Sequence, residues 1–197
     1  MGKFLLVFAS SEGQTEKIAK RMQIILRNRG HNVEKFHVND VPGDLQISEY
    51  DAVMIGASIH AGRHQHAIRS FVESHSHELN NVQTAFFQIS LASATDEGRA
   101  QAAGYVDTFI ESTDWHPDRI GLFGGALRYS KYGFLKRLVM KQIAKRIITD
   151  APTPTESADI EFTDWKEIEN FAADFATFVE GRLGALPPAT ELHDHDP

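Results

Sequence analysis

The sequence of 197 residues contains no cysteine. This absence excludes disulfide bonds, zinc–thiolate sites, Cys-ligated iron–sulfur clusters and a thiol nucleophile. No apolar run approaches the roughly 18 residues that cross a bilayer, and the chain opens with a core strand instead of the basic and apolar regions of a signal peptide. We therefore expect a cytoplasmic protein.

Short apolar runs alternate along the chain with segments of helical periodicity. The first run, Phe4 to Ala9, is too short for an independent helix and ends at a Ser/Gly cluster, which is typical of a buried parallel strand. The further predicted strands are an outer strand at 33–38 and core strands at 51–57, 84–91 and 119–126. This alternation predicts an α/β fold, with a doubly wound parallel sheet of five strands and helices on both faces.

The turn after the first strand has the chemistry of a phosphate site. It reads Ser10-Ser11-Glu12-Gly13-Gln14-Thr15 and leads directly into a helix. Hydroxyl groups, free backbone N–H groups and the positive end of the helix dipole would meet there. The turn lacks both the Gly-x-Gly-x-x-Gly pattern of dinucleotide sites and the Gly-Lys-Ser/Thr of nucleotide hydrolases. A phosphate monoester is therefore the expected ligand, with an ordinary helix cap as the alternative.

This turn resembles that of the flavodoxin family, in which it holds the phosphate of FMN. The resemblance implies that FMN is the cofactor and that the loops after the next two core strands flank its ring. The residues predicted there are Ser58, Ile59 and His60 in one loop and Ser90, Leu91 and Ala92 in the other. Small electron-carrying flavodoxins commonly have aromatic side chains in these loops. Their absence here predicts an open ring face that a substrate can approach.

Acidic residues are absent between Asp118 and Asp150, where eight basic residues fall. Within this block, residues 133–148 read as a cationic amphipathic helix with Arg137, Lys141 and Lys145 on its polar side. We interpret the block, an insertion at about residues 127–158, as a contact for an anionic membrane surface or a polycarboxylate. The alternative is a solvated helix packed on the sheet edge.

The chain after the insertion is predicted to form a last helix capped by Thr163 or Asp164. Residues 1–184 would then be a single flavodoxin-like domain, followed by a disordered tail at 185–197. The His193-Asp194-His195-Asp196 stretch is interpreted as solvated tail, so no metal site is expected. We also expect no nucleic-acid partner.

Four blocks resemble the flavodoxin-like, menaquinone-dependent protoporphyrinogen oxidase family. They are Gly56-Ala57-Ser58-Ile59, Trp115-His116-Pro117-Asp118-Arg119, Gly125-Ala126-Leu127-Arg128-Tyr129 and Phe162-Thr163-Asp164-Trp165. The resemblance implies FMN-dependent oxidation of protoporphyrinogen IX, transfer of the electrons to a membrane quinone, and a peripheral location on the inner face of the cell membrane.

Arg128 and Tyr129, together with the basic residues that follow, would then contact substrate or membrane. The sequence identifies no general base and does not define which quinone is used. Two alternatives remain open: a flavodoxin that carries electrons between protein partners, and a general FMN-dependent quinone reductase.

Overall fold

The computed structural model describes residues 1–127 and 159–184. The strands are β1 Lys3–Phe8, β2 Asn32–His37, β3 Ala52–His60, β4 Arg63–His64, β5 Gln83–Ser90, β6 Arg119–Gly124, β7 Ala126–Leu127 and β8 Ile160–Glu161. The α-helices in these ranges are α1 Gln14–Asn28, α2 His66–Leu79, α3 Asp96–Thr113 and α4 Trp165–Leu183.

The main sheet has the order β2-β1-β3-β5-β6, and each of these neighbouring pairs is parallel. Counting only these five strands along the chain, the order is 2-1-3-4-5, which is the flavodoxin-like arrangement. The chain passes from β1 to β2 on one side of the β1–β3 pair and from β3 to β5 on the other side. The carboxyl ends of β1 and β3 therefore border a crevice. The predicted five-stranded fold is confirmed.

Alternate residues of the buried strands supply two separate cores. Phe4 and Leu6 of β1 belong to the core that α1 and α4 cover, whereas Leu5 and Val7 belong to the core that contains the apolar residues of α2 and α3. Successive side chains of a strand point to opposite faces of the sheet. Both faces are therefore covered, which explains why these strands are apolar without interruption.

The third strand is longer than the sequence predicted. We expected it to end at Ala57, but β3 runs on to His60 and folds back into β4, with Ile59 opposite His64. The turn between them consists of Ala61 and Gly62, whose φ angles are 49° and 76°. Two-residue hairpin turns commonly need positive φ at both positions. The prediction that Ser58, Ile59 and His60 form a loop was therefore wrong, since they are strand residues.

The predicted last strand, 119–126, is interrupted at Gly125. After β6 the chain enters β7, which pairs antiparallel with β8, so that Leu127 lies opposite Ile160. A Cβ atom on Gly124 would lie 2.3 Å from the carbonyl oxygen of Phe162, so only glycine fits this approach. The short ladder joins the two ends of the predicted insertion. The predicted helix at 133–148 and tail at 185–197 lie outside the described residues.

The β3–β4 hairpin carries a half-buried histidine, His64. Its ring centroid lies 4.6 Å from that of Phe109 and 5.5 Å from that of Phe86. Burial lowers the pKa of His64 to about 4, and the nearby Arg69 charge acts in the same direction, against an opposing effect of the Gln88 side chain. The folded protein therefore holds this imidazole neutral at neutral pH.

We expect His64 to make the protein less stable in mild acid. An unfolded histidine has a pKa near 6.5, so between about pH 6.5 and pH 4 the unfolded chain takes up a proton that the folded chain refuses. The contribution of His64 to the free energy of unfolding is therefore fully present above pH 6.5 and is lost as the pH falls towards 4. The loss at pH 5 should be about 1–2 kcal/mol.

Urea unfolding of the parent and of His64→Phe at pH 7.5 and pH 5 measures this loss. Phenylalanine keeps an aromatic ring against Phe86 and Phe109 but does not titrate, so the variant should lose less stability on acidification. His77→Gln, at an exposed position of α2, is the control and should follow the parent. If the free energy of unfolding fell by the same amount between pH 7.5 and pH 5 in the parent and in His64→Phe, His64 would not be the cause of the loss.

Candidate functional site

A cavity of about 590 Å³ lies outside the carboxyl ends of β1, β3 and β5. This is the place where doubly wound sheets bind their ligands. Most of the predicted cofactor residues line it, namely Ser10, Glu12, Gln14, Thr15, Ser58, Ile59, His60, Ser90, Leu91 and Ala92. The fold therefore brings three distant stretches of the sequence to one site. Ser11 and Gly13 are the two predicted residues that are not part of the lining.

The loop from Ser10 to Gly13 presents the beginning of helix α1 to the cavity. Gly13 has a φ of 92°, and its N–H group donates to Ser10 Oγ at 3.0 Å. No side chain caps α1, and its first two residues, Gln14 and Thr15, line the cavity. The N–H groups of the first helical turn lack partners within the helix. This end of α1 therefore favours an anionic ligand.

Two residues of this loop have structural partners. Ser11 is exposed, and its Oγ accepts a hydrogen bond from Gln65 just before α2. The amide of Gln14 donates to Thr163 Oγ1 at 2.8 Å, and Thr163 in turn donates to the carbonyl of Gly124 at 3.0 Å. Thr163 therefore links the loop to β6, while Asp164 caps α4 by accepting from the N–H groups of Lys166 and Glu167.

Ser58 and Ser90 both line the cavity, but their hydroxyl groups differ. Ser90 Oγ lies 2.7 Å from Ser93 Oγ and accepts from the Ser93 N–H group at 3.0 Å, so it stabilises the turn after β5. Ser58 Oγ is buried and has no hydrogen-bond partner among the described residues. A buried polar group without a partner costs about 1–3 kcal/mol. Ser58 thus fits a hydrogen bond to a ligand in this cavity.

Helix α3 supplies lining residues that the sequence analysis missed. Gly98, Gln101 and Tyr105 lie along one stripe of the helix and line the cavity. A Cβ on Gly98 would lie 2.1 Å from the carbonyl oxygen of Ala92, so glycine permits the close approach of α3 to this turn. The open ring face was predicted from the loops alone. The described lining nevertheless contains an aromatic side chain, Tyr105, which comes from helix α3 and not from these loops.

The charge of the lining restricts how an anion can be held. Among the described residues that line the cavity there is no lysine or arginine, and Glu12 carries the one carboxylate. A phosphate would therefore be bound by hydroxyl and backbone N–H groups, as the loop sequence predicts. In residues 1–127 and 159–184 we also find no cluster of three potential metal ligands. No helix in the same ranges is both long and apolar enough to cross a membrane.

A 2-1-3-4-5 parallel sheet with a hydroxyl-rich loop and an uncapped helix at its crevice defines the class of flavodoxin-like proteins. The family model of the flavodoxin domain matches residues 5–155. A flavodoxin from the domain Archaea has a TM-score of 0.52 at 16% identity, with 90% of this chain and 99% of that chain covered. The structural likeness supports the fold, and the family match implies a flavin cofactor.

Two curated relatives indicate a narrower family among the flavodoxin-like proteins. The chain is 33% identical to protoporphyrinogen IX dehydrogenase [quinone] of Escherichia coli strain K12, covering 90% of this chain and 97% of the relative. It is 31% identical to the protein of the same name from Leishmania major, covering 94% and 78% of the two chains. The chain belongs to the flavodoxin family and, within it, to the protoporphyrinogen IX dehydrogenase (quinone) family.

Proposed function

We propose that this protein binds FMN and oxidises protoporphyrinogen IX to protoporphyrin IX, with a membrane quinone as electron acceptor. One observation carries the proposal: a chain that covers 97% of the Escherichia coli dehydrogenase folds so that its hydroxyl-rich loop meets a cavity at the crevice of the sheet. The oxidation removes six electrons and six protons from the substrate. Three quinones take these up and become three quinols.

The cofactor proposal follows from the donor set of the cavity. Ser10, Thr15 and the first-turn N–H groups of α1 would hold the phosphate monoester of FMN, and Ser58 supplies a further hydroxyl in the same cavity. When bound, FMN supplies the two-electron redox chemistry that the side chains of a cysteine-free chain do not offer. The residues on either side of the cavity would position it and exclude water from part of its surface.

The substrate proposal extends from the rim of the cavity into the basic segment. Protoporphyrinogen IX carries two propionate groups, and the described lining offers them no lysine or arginine. Ala126 lines the cavity, and β7 ends at Leu127, so Arg128 and Tyr129 follow immediately in the sequence. We propose that Arg128 pairs with a propionate and that Tyr129 contacts the substrate. Both residues lie outside the described ranges.

The membrane proposal concerns Arg137, Lys141 and Lys145, which also lie outside the described residues. A quinone dissolved in a bilayer must be reached from its surface, and a cationic amphipathic segment favours an anionic surface. We propose that these three residues place the protein peripherally on the cytoplasmic face of the membrane. The flavin could then exchange electrons with the quinone without a membrane-spanning helix.

Anaerobic reduction of the FMN-loaded protein by protoporphyrinogen tests the proposed function. We expect the flavin absorbance to bleach on addition of this substrate and to return when a quinone is added. Dithionite reduction of the same sample is the control for a competent flavin. A holoprotein that dithionite bleaches but protoporphyrinogen does not would contradict the proposal and favour an electron carrier.

A further inference from the structure

Tyr105 lies at the end of the cavity formed by α3 and the β3–β4 hairpin. A Cβ on Gly62, in the hairpin turn, would lie 3.9 Å from the Tyr105 hydroxyl oxygen. Tyr105 and Gly62 both line the cavity. The phenol and the hairpin turn therefore form one continuous wall, whereas Ser10 and Thr15 line the part of the cavity at the beginning of α1.

The position of Tyr105 is fixed by contacts on its own helix and on the sheet. The side-chain amide of Gln88 in β5 donates to the carbonyl of Ala102 at 2.9 Å, one turn before Tyr105. The Thr95 side chain caps α3 by accepting from the Gly98 N–H group. The helix is therefore held against the sheet at the turn that presents the phenol. A group held in this way loses little freedom when it binds a ligand.

The hydrogen bonding of Tyr105 leaves its proton available. Gln101 Nε2 donates to the Tyr105 hydroxyl oxygen at 2.8 Å, so the phenol is an acceptor in this contact. A phenol also has one O–H group to donate. Since the described lining contains no lysine or arginine, a hydroxyl group such as the Tyr105 phenol is a donor that would stabilise negative charge developing on a ligand here.

We propose that the Tyr105 hydroxyl donates a hydrogen bond to the polar edge of the flavin ring and raises its reduction potential. This inference rests on the proposed binding of FMN. The polar edge of the ring carries carbonyl and ring-nitrogen acceptors and becomes more negative on reduction. A hydrogen bond to a charged acceptor is roughly twice as strong as one to a neutral acceptor. Tyr105 should therefore bind the reduced form more tightly than the oxidised form, and act as a positioning residue for the cofactor.

Tyr105→Phe tests the proposal, because it removes the hydroxyl and keeps the ring against the hairpin turn. Oxidised FMN should bind the variant apoprotein at most about threefold more weakly than it binds the parent. The loss of affinity for reduced FMN should be about tenfold larger than the loss for oxidised FMN. Tenfold corresponds to about 30 mV in a two-electron couple, so the midpoint potential should fall by about this amount. Fluorescence titration of the apoprotein gives the first quantity, and equilibration with redox dyes gives the second.

Tyr50→Phe is the matched control. It also deletes one phenol hydroxyl, but Tyr50 precedes β3, at the opposite end of this strand, and donates to Glu34 at 2.8 Å. The midpoint potential of FMN bound to Tyr50→Phe should equal that of FMN bound to the parent. An unchanged potential in Tyr105→Phe would overturn the inference, as would an increase in KM for protoporphyrinogen without a change in potential. A parent apoprotein that does not bind FMN would instead overturn the proposed function itself.

Discussion

Removing the hydroxyl groups of Ser10 and Thr15 should weaken FMN binding by at least about 3 kcal/mol, which is more than a hundredfold in Kd. Both residues line the cavity beside the beginning of α1. Each would donate to a phosphate that has no lysine or arginine partner in the described lining, and a hydrogen bond to a charged group contributes about 1.5–3 kcal/mol. The measurement is the Kd of FMN for the apoprotein of the Ser10→Ala/Thr15→Val double variant.

The choice of valine follows from burial. Thr15 is 1% exposed, and valine replaces its hydroxyl by a methyl group with almost no change in shape, so no cavity is created. Thr15→Ser keeps the hydroxyl and is the matched control, with an expected Kd close to that of the parent. Circular dichroism should show an intact fold in all variants. A double variant that binds FMN within threefold of the parent would show that the phosphate lies elsewhere.

Replacing Arg137, Lys141 and Lys145 by Gln should reduce binding to anionic liposomes about a hundredfold. Each basic residue close to an anionic surface contributes about 1 kcal/mol, and 3 kcal/mol corresponds to slightly more than two powers of ten. Binding of the parent should also weaken as salt increases, because exposed charges are screened over about 8 Å at physiological ionic strength. Co-sedimentation at two salt concentrations measures both effects.

A second triple variant, which loses three positive charges elsewhere on the protein, distinguishes an effect of the basic segment on liposome binding from an effect of net charge. Lys20, Lys166 and Arg182 are exposed on α1 and α4, and their replacement by Gln should leave most liposome binding intact. The FMN content of both triple variants should equal that of the parent. Lys20, Lys166 and Arg182 are not part of the cavity lining, and Arg137, Lys141 and Lys145 lie outside the three predicted flavin loops in the sequence. Equal, salt-insensitive binding by the parent and the first variant would leave the basic segment as a solvated surface.

Local sequence patterns were sufficient for the sheet and for placing a hydroxyl-rich loop at the end of β1. Each buried strand is a short apolar run, and alternate side chains such as Phe4 and Leu5 enter opposite cores because the side-chain period of a strand is two residues. Ser10 and Thr15 were predicted to hold a phosphate because hydroxyl groups between a strand and a helix fall where the helix dipole favours an anion, and both line the cavity. These signals involve residues that are close in sequence, so no tertiary information was needed.

The lining from α3 could not be found in this way. Tyr105 faces the cavity only because Gln88, 17 positions earlier in the chain, is bonded to Ala102 and because Gly98 lets the helix approach Ala92. The sequence predicts a helix from about Asp96 to Ser112, but not which of its side chains point towards a cavity. Which side of the helix borders a cavity depends on the packing of the helix against the sheet.

The roles of individual hydroxyl groups were also decided by the tertiary structure. Ser58 and Ser90 occupy similar positions at the ends of neighbouring strands, yet Ser90 bonds to Ser93 and Ser58 has no described partner. Thr163 and Asp164 were equivalent candidates for the helix cap, and the structure uses Asp164 for the cap and Thr163 to join Gln14 to Gly124. The sequence determined which hydroxyl groups of the loops and strand ends reach this end of the sheet. Only the packed chain determined which of them remain available to a ligand, because a hydrogen bond depends on distances between groups that are far apart in sequence.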